Sequence, residues 1–322
     1  MNDRRPLITQ AATRIRTANR VLIACHVRPD GDALGSLLGL ALGLQSLGKE
    51  VTALSTDGVP ALYRFLPHWE EIVSEADGAW DVSIGLDADG SNRLGDAEAL
   101  VLSQPFVIDL DHHGGPRPFG DLQIVDTTAS ATGELVFDLL RELDVPLTTE
   151  IAECLMTALL TDTGSFRFTN VTADTFRIAS ELRACGAAPA PIYEATYGTR
   201  SLESTVLLGR FLARAQSAAG GRVVYSSIGF DEFAEVGAPP DATEGFLDQL
   251  RCAEGNLISL FLREEAPGLI RVSLRSRGPA DVARIAAEFG GGGHRMASGC
   301  TLFEPIETAV ERVVQAAVRH LD

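Results

Sequence analysis

Lysine is almost missing from this chain: Lys49 is the only one in 322 residues. No lysine accompanies the glycine run at 290–293, so that run is not a P-loop, whose glycine-rich turn needs a lysine on the phosphates. The positive charge sits on arginine instead, the side chain shaped for bidentate phosphate contacts, although genome composition produces the same bias. Basic charge is short as well, with a formal net charge of -17. A protein that coats long nucleic acid needs a basic surface, so any phosphate handled here is small, or is held by metal ions and a few arginines. Cysteine is sparse: Cys25, Cys154, Cys185, Cys252 and Cys300 are odd in number, widely spaced and form no C-x-x-C pair. This argues against a disulfide framework and fits a reduced cytoplasmic chain. No apolar run is long enough for a bilayer, since the longest, 33–47, falls short of the roughly 20 residues required. Arg4-Arg5 has no apolar region behind it, because Arg14, Arg16 and Arg20 interrupt the stretch, so it does not read as a twin-arginine signal. Internal repeats are absent too.

What is present is a soluble globular composition, 45% hydrophobic and 22% charged, long enough for two domains. The acidity is concentrated in residues 1–190, with 27 acidic against 14 basic residues. There, His26-Val27-Arg28-Pro29-Asp30-Gly31-Asp32 follows the apolar run 21–24. Pro29 and Gly31 predict an irregular turn at the carboxyl end of a strand, where open α/β sheets keep their sites. Further acids and histidines close other apolar runs: Asp87, Asp111-His112-His113 and Asp162. Segments stopping at Asp or His predict strand ends ringing a metal centre. A mixed imidazole and carboxylate set suits borderline-to-hard divalent ions such as Mn²⁺.

Taken in order, a lead-in helix (1–20), a strand, a helix (33–47) and a strand (50–54) predict a βαβ unit. Gly35, Gly39 and Gly43 share one face of that helix and predict close packing on the sheet. Strands ending at Asp87 and near Asp111, a short strand at 122–125 and helices at 130–143, 149–160 and 172–185 complete an α/β, doubly wound, mainly parallel sheet over 1–186. Two prolines among small residues predict a linker at 187–200. A smaller α+β domain over 201–322 should hold a helix (202–218), a strand (222–228), a helix near 243–254, strands near 256–263 and 269–275, and a helix (280–289). The glycine run, a strand and a terminal helix should follow.

The run Gly290-Gly291-Gly292-Gly293-His294-Arg295 misses the dinucleotide fingerprint, because Arg295 holds its sixth position. Its glycines, Gly292 and Gly293 among them, allow backbone amides to approach a phosphate or a base. His294, Arg295 and Ser298 add polar contacts. Alternation puts Arg271, Ser273 and Arg275 on one strand face, which reads as an anion-binding surface.

Taken together, His26-x₃-Asp30-x-Asp32, Asp87, Asp111-His112-His113 and Asp162 resemble the four motifs of the DHH phosphoesterases. Gly290–Gly299 resembles the signature of the DHH-associated nucleic-acid-binding domain. Length and layout most resemble the nano-RNase group, which acts on short oligoribonucleotides and 3′-phosphoadenosine 5′-phosphate, with relatives acting on cyclic or linear dinucleotides. The resemblance implies two divalent ions, Mn²⁺ first, with Mg²⁺ or Co²⁺ as alternatives. His26 and Asp30 would hold one; Asp32, His112 and Asp162 the other; Asp87 would bridge them. His113 would face the scissile phosphate, with Asp111 orienting the histidines. Arg271, Arg275, His294 and Arg295 would hold the nucleoside, in a substrate seated between the domains whose length linker closure would measure. The implied partners are short RNA or a small nucleotide, not long nucleic acid and not a membrane; a homodimer stays open. One departure is Gly115-Pro116, near where family members often carry asparagine, with Arg117 as a substitute contact.

Rival readings are a pyrophosphatase, which needs a lysine-rich motif this chain cannot supply, and a RecJ-type exonuclease, for which the chain is short and acidic. A cyclic-dinucleotide phosphodiesterase is an alternative. A catalytically inactive nucleotide sensor is another, though it would have lost ligands, and all are present.

Overall fold

The computed structural model describes residues 4–114, 117–239 and 242–321, apart from the side chain of His294. They form two compact units, Met1–Gly198 and Thr199–Asp322.

In the first unit, α1 (Arg5–Thr17) leads into β1 (Arg20–Cys25), α2 (Gly31–Ser46) and β2 (Glu50–Leu54). Next come β3 (Val82–Leu86), α3 (Glu98–Leu102), β4 (Val107–Asp111) and β5 (Leu122–Val125), followed by α4 (Thr132–Glu142), α5 (Thr149–Asp162), α6 (Ala173–Ala184) and α7 (Pro189–Tyr193). The sheet runs β2-β1-β3-β4-β5, parallel throughout. Its inner strands β1, β3 and β4 are buried on both faces because both are covered, while the edge strands expose Glu50 and Gln123. One face buries Val21, Ile23, Ile84 and Ile108 under α1, α2, α4 and α5. The other buries Leu22, Ala24 and Val107 against Leu94, Val101 and Phe119. Strand order reverses between β1 and β3, and a crevice opens beyond the carboxyl ends of strands at such a switch point.

Several expectations change. Asp30 and Asp32 do not sit on an irregular turn. Asp30 is the N-cap of α2, its Oδ1 accepting from the amides of Asp32 and Ala33 at 3.0 and 3.1 Å, and Asp32 lies in the first turn. Pro29 only blocks helix before the cap, and glycine is tolerated at the first helical position. Asp162 closes α5, the helix expected over 149–160, and so is not one of the strand ends. Gly35, Gly39 and Gly43 face other helices and not the sheet. A Cβ on Gly35 would lie 2.4 Å from the Cys154 carbonyl, one on Gly39 2.8 Å from Leu155, and one on Gly43 2.3 Å from Leu140. The stretch read as a linker is folded: α7 continues into a π-helical turn, Glu194–Gly198, and Ala187 and Ile192 are buried in the first unit's core. Proline suits the first turn of a helix, where its missing N–H costs nothing.

The second unit begins with α8 (Leu202–Ala213), β6 (Gln216–Ala218), β7 (Val223–Ile228), α9 (Phe230–Val236) and α10 (Phe246–Leu250). It ends with β8 (Ile258–Ala266), β9 (Leu269–Ser276), α11 (Val282–Glu288), β10 (Gly292–His294), β11 (Ala297–Phe303) and α12 (Ile306–Arg319). Its sheet runs β10-β11-β9-β8-β7-β6, antiparallel except for the β7–β8 pair. The helix expected through Ala218 ends at Ala213, because Gln216–Ala218 pairs with β7 across a turn at Gly220 and Gly221, both at positive φ. The helix near 243–254 shortens to α10, bounded by Gly245 at φ +74° and Gly255 at φ +75°.

Candidate metal centre

Each strand end at the switch point delivers a polar side chain. His26 follows β1, Asp87 follows β3, Asp111 ends β4, and His112 and His113 come next. The helix termini of α2 and α5 bring Asp30, Asp32 and Asp162 to the same place. Closing α2 on α5 needs a residue without a side chain, since a Cβ on Gly31 would lie 2.4 Å from Thr161.

Three sets of ligand atoms converge: His26, Asp30 and Asp87; Asp32, His112 and Asp162; Asp87, His112 and His113. Asp87 stands in the middle. Its Oδ2 lies 3.5 Å from His26 Nε2 and its Oδ1 3.6 Å from His112 Nε2. The backbone of Asp87 is left-handed (φ +58°), a conformation costly for a residue with a side chain and concentrated at functional sites.

The histidines are oriented by what their other nitrogens touch. His26 Nδ1 donates to the Val27 carbonyl at 2.8 Å, and His112 Nδ1 faces the Ala129 carbonyl at 3.4 Å. Both rings therefore turn Nε2 inward, the arrangement that fixes the tautomer of a metal-binding imidazole. Among the described residues, His112 Nε2 is buried with no hydrogen-bond partner, and it faces the carboxylates of Asp32 (3.7 Å), Asp87 and Asp162 (3.2 Å). A buried orphan acceptor aimed at three carboxylates fits a cation. His113 differs. Its Nδ1 is hydrogen-bonded to Asp111 Oδ1 at 2.8 Å and lies 3.4 Å from Asp87, so that nitrogen is already used. Asp111 also accepts from the His113 amide at 3.0 Å, so it orients one histidine and not both.

The electrostatics agree. Burial pushes the Asp32 carboxyl well above the usual range and also raises Asp30 and, to about 7, Asp162, with Asp87 the foremost charged neighbour adding to it. Burial acts on Asp87 in the same sense, but the hydrogen bond from His26 and the charges of His112 and His113 outweigh it and bring Asp87 down to about 2. Burial lowers the imidazoles, yet carboxylate neighbours raise His26 overall and bring His113 up to about 9. More carboxylate is packed here than the imidazoles neutralise, a surplus that divalent cations would relieve.

Reasoning from the sequence missed the donors behind these ligands. The amides of Thr132 and Gly133, at the start of α4, donate to Asp32 at 2.7 and 3.0 Å, and Ser36 donates to it at 3.0 Å. The Thr132 hydroxyl donates to Asp87 Oδ1 at 2.8 Å. Only the motif Ala131-Thr132-Gly133 opening a helical stretch hinted at this.

In the second unit, Arg271, Ser273 and Arg275 share one face of β9 while Ile270, Val272 and Leu274 fill the core. Arg271 reaches Thr301 at 3.1 Å, Arg275 bonds the Leu274 carbonyl at 3.1 Å, and Arg295 bonds the Pro279 carbonyl at 2.9 Å. The glycine tract is a hairpin in which Gly292, Gly293 and His294 pair with Gly299, Ser298 and Ala297, and Ser298 is buried. Chain packing explains Gly291 and Gly293, where a Cβ would lie 2.3 and 2.6 Å from carbonyl oxygens. It does not explain Gly292, where a Cβ would meet nothing within 4 Å. The His294 side chain and Gly115-Pro116 lie outside the described residues.

A parallel sheet with this His and Asp cluster at its switch point, joined to a mixed-sheet unit, defines a metal-dependent phosphoesterase. The chain belongs to the DHH family: the family's N-terminal domain matches residues 20–159 and the DHHA1 domain residues 220–321. A bifunctional oligoribonuclease and PAP phosphatase, NrnA, from Thermus thermophilus is 38% identical over 94% of this chain and 90% of its own length. The Bacillus subtilis protein of the same name is 28% identical over 92% of this chain and 93% of its own. A crystal structure of an exopolyphosphatase-related protein from Bacteroides fragilis superposes with a TM-score of 0.90 at 31% identity, covering 98% of this chain and 96% of that one. Among the described residues, no helix is long and apolar enough to cross a membrane.

Proposed function

We propose that the chain hydrolyses short oligoribonucleotides and 3′-phosphoadenosine 5′-phosphate at a two-metal centre, with Mn²⁺ as the ion. The reading rests on Asp87, whose two carboxylate oxygens face two different inward-turned imidazoles, His26 and His112. Likeness to the NrnA proteins over nearly their whole length supports the substrate class. His26 and Asp30 would hold one ion and Asp32, His112 and Asp162 the other, with Asp87 placed to serve both sets. Bound there, the cations would acidify a water for in-line attack and neutralise charge on the phosphoryl group.

The protein's own groups do the rest. His113, brought up to about 9, is an imidazolium at neutral pH: its Nδ1–H goes to Asp111, and its Nε2–H can be donated to a phosphoryl or leaving oxygen. Thr132, Gly133 and Ser36 hold Asp32 fixed, so the ligand set is preorganised and not gathered by the substrate. Arg271, Arg275, His294, Arg295 and Ser298, with the amides at Gly292 and Gly293, bind the nucleoside or its second phosphate. The cysteines are unpaired, in keeping with a cytoplasmic enzyme.

The test is a substrate panel with Mn²⁺: diribonucleotides, 3′-phosphoadenosine 5′-phosphate, cyclic dinucleotides, pyrophosphate and long RNA. The first two should turn over fastest. Preference for cyclic dinucleotides or pyrophosphate, or no turnover at all, would overturn the assignment.

A further inference from the structure

Beyond α5 the chain reverses through Gly164, Ser165 and Phe166, all at positive φ (+55°, +60° and +63°). Two of these carry side chains, so the reversal is costly. What it achieves is the return of Asn170 to the end of α5. Asn170 Nδ2 donates to the Asp162 carbonyl at 3.1 Å and to the Ser130 carbonyl at 3.0 Å. The Asp162 carbonyl is one of the acceptors a helix end leaves open. Ser130 lies in the segment preceding α4, whose Ala129 carbonyl faces His112 Nδ1 and whose Thr132 holds Asp32 and Asp87. The segment is tied down from behind as well, since Ser130 Oγ donates to buried Glu134 at 2.6 Å.

One side-chain amide thus bridges the main chains that carry or orient Asp162, His112 and Asp32. Asn170 Oδ1 is buried with no partner among the described residues. An amide that leaves its acceptor unsatisfied is held there for its two donors.

We propose that Asn170 is a positioning residue that sets the spacing of Asp162 and His112, and so the affinity for the ion they share with Asp32. The inference rests on the ion assignment given above. His26 and Asp30 receive no hydrogen bond from Asn170, so the other site should weaken less. Loss of a residue that orients metal ligands lowers metal affinity by about 10–100-fold.

The test uses the full-length chain and Mn²⁺ alone, by titration calorimetry and electron paramagnetic resonance. Asn170→Asp keeps the shape but cannot donate; Asn170→Ala also removes the unpartnered oxygen and is gentler on folding. In both, one of two Mn²⁺ sites should weaken by about 10–100-fold, the spin-coupled two-ion spectrum should give way to a single-ion one, and the chain should still unfold cooperatively, at a somewhat lower midpoint. Variants that bind both ions as wild type does would overturn the proposal, as would equal weakening of both sites. A wild-type chain that binds no Mn²⁺ would overturn it together with the metal centre, a result distinct from failure of Asn170 alone.

Discussion

Thr132 donates its hydroxyl to Asp87 Oδ1 at 2.8 Å and its amide to Asp32 Oδ2 at 2.7 Å. One residue at the start of α4 therefore fixes two carboxylates that belong to different ligand sets. Thr132→Val keeps the shape and the amide but leaves Asp87 without that donor. Hydrolysis of a diribonucleotide should fall about 10–100-fold while thermal stability drops by about 1 kcal/mol. Thr132→Ser should retain most of the activity, and a fully active valine variant would show that the hydroxyl is dispensable.

Gly35→Ala tests the helix packing beneath the site. The added methyl would meet the Cys154 carbonyl at 2.4 Å and the Ala158 amide nitrogen at 3.0 Å, both backbone atoms that cannot rotate away. Moving α2 off α5 should cost about 1–3 kcal/mol in denaturant unfolding. It should also weaken Mn²⁺ binding, because these helices carry Asp30, Asp32 and Asp162. The control is Gly209→Ala in α8, where a Cβ meets nothing within 4 Å and the change should be neutral or stabilising.

These helix contacts mark the limit of what the sequence shows. Strand ends at His26, Asp87 and Asp111 are legible because apolar runs stop at polar residues, and the period of two on β9 places Arg271 and Arg275. Hydrophobic pattern does not say that Asp30 caps a helix, since Pro29 and Gly31 look like turn residues whether or not a helix starts between them. Nor does a stripe of glycines reveal whether helix or sheet lies opposite. Thr132 and Asn170 are unremarkable polar residues in the chain and acquire meaning only from carboxylates and carbonyls 40 to 100 residues away or just across a turn.

A pH dependence follows from Asp109, on β4. Its Oδ2 accepts from the Phe119 amide at 3.1 Å while its Oδ1 is buried without a partner among the described residues. Burial pushes the carboxyl up to about 7, with Asp111 adding to the rise and the Phe119 amide opposing it. A carboxyl that ionises later in the folded than in the unfolded chain is stabilising to keep neutral. Its cost therefore grows as pH rises from about 4 to about 7 and is fully present above that. Asp109→Asn removes this term, so the difference in thermal midpoint should shift in favour of the variant between pH 5 and pH 8. A constant difference would show that Asp109 does not titrate in that window.

Arg295, exposed on the glycine hairpin, is proposed to bind and not to activate water. Arg295→Ala should raise KM for nucleotide substrates about 10-fold with kcat little changed. An effect confined to kcat would contradict that role.

The central claim is that Asp87 joins two ion sites, and counting Mn²⁺ per chain after equilibrium dialysis tests it most directly. Two ions are expected in the wild-type chain, and no more than one in a folded Asp87→Asn variant that no longer hydrolyses diribonucleotides. A wild-type chain holding one ion, or an asparagine variant holding two with turnover intact, would contradict it.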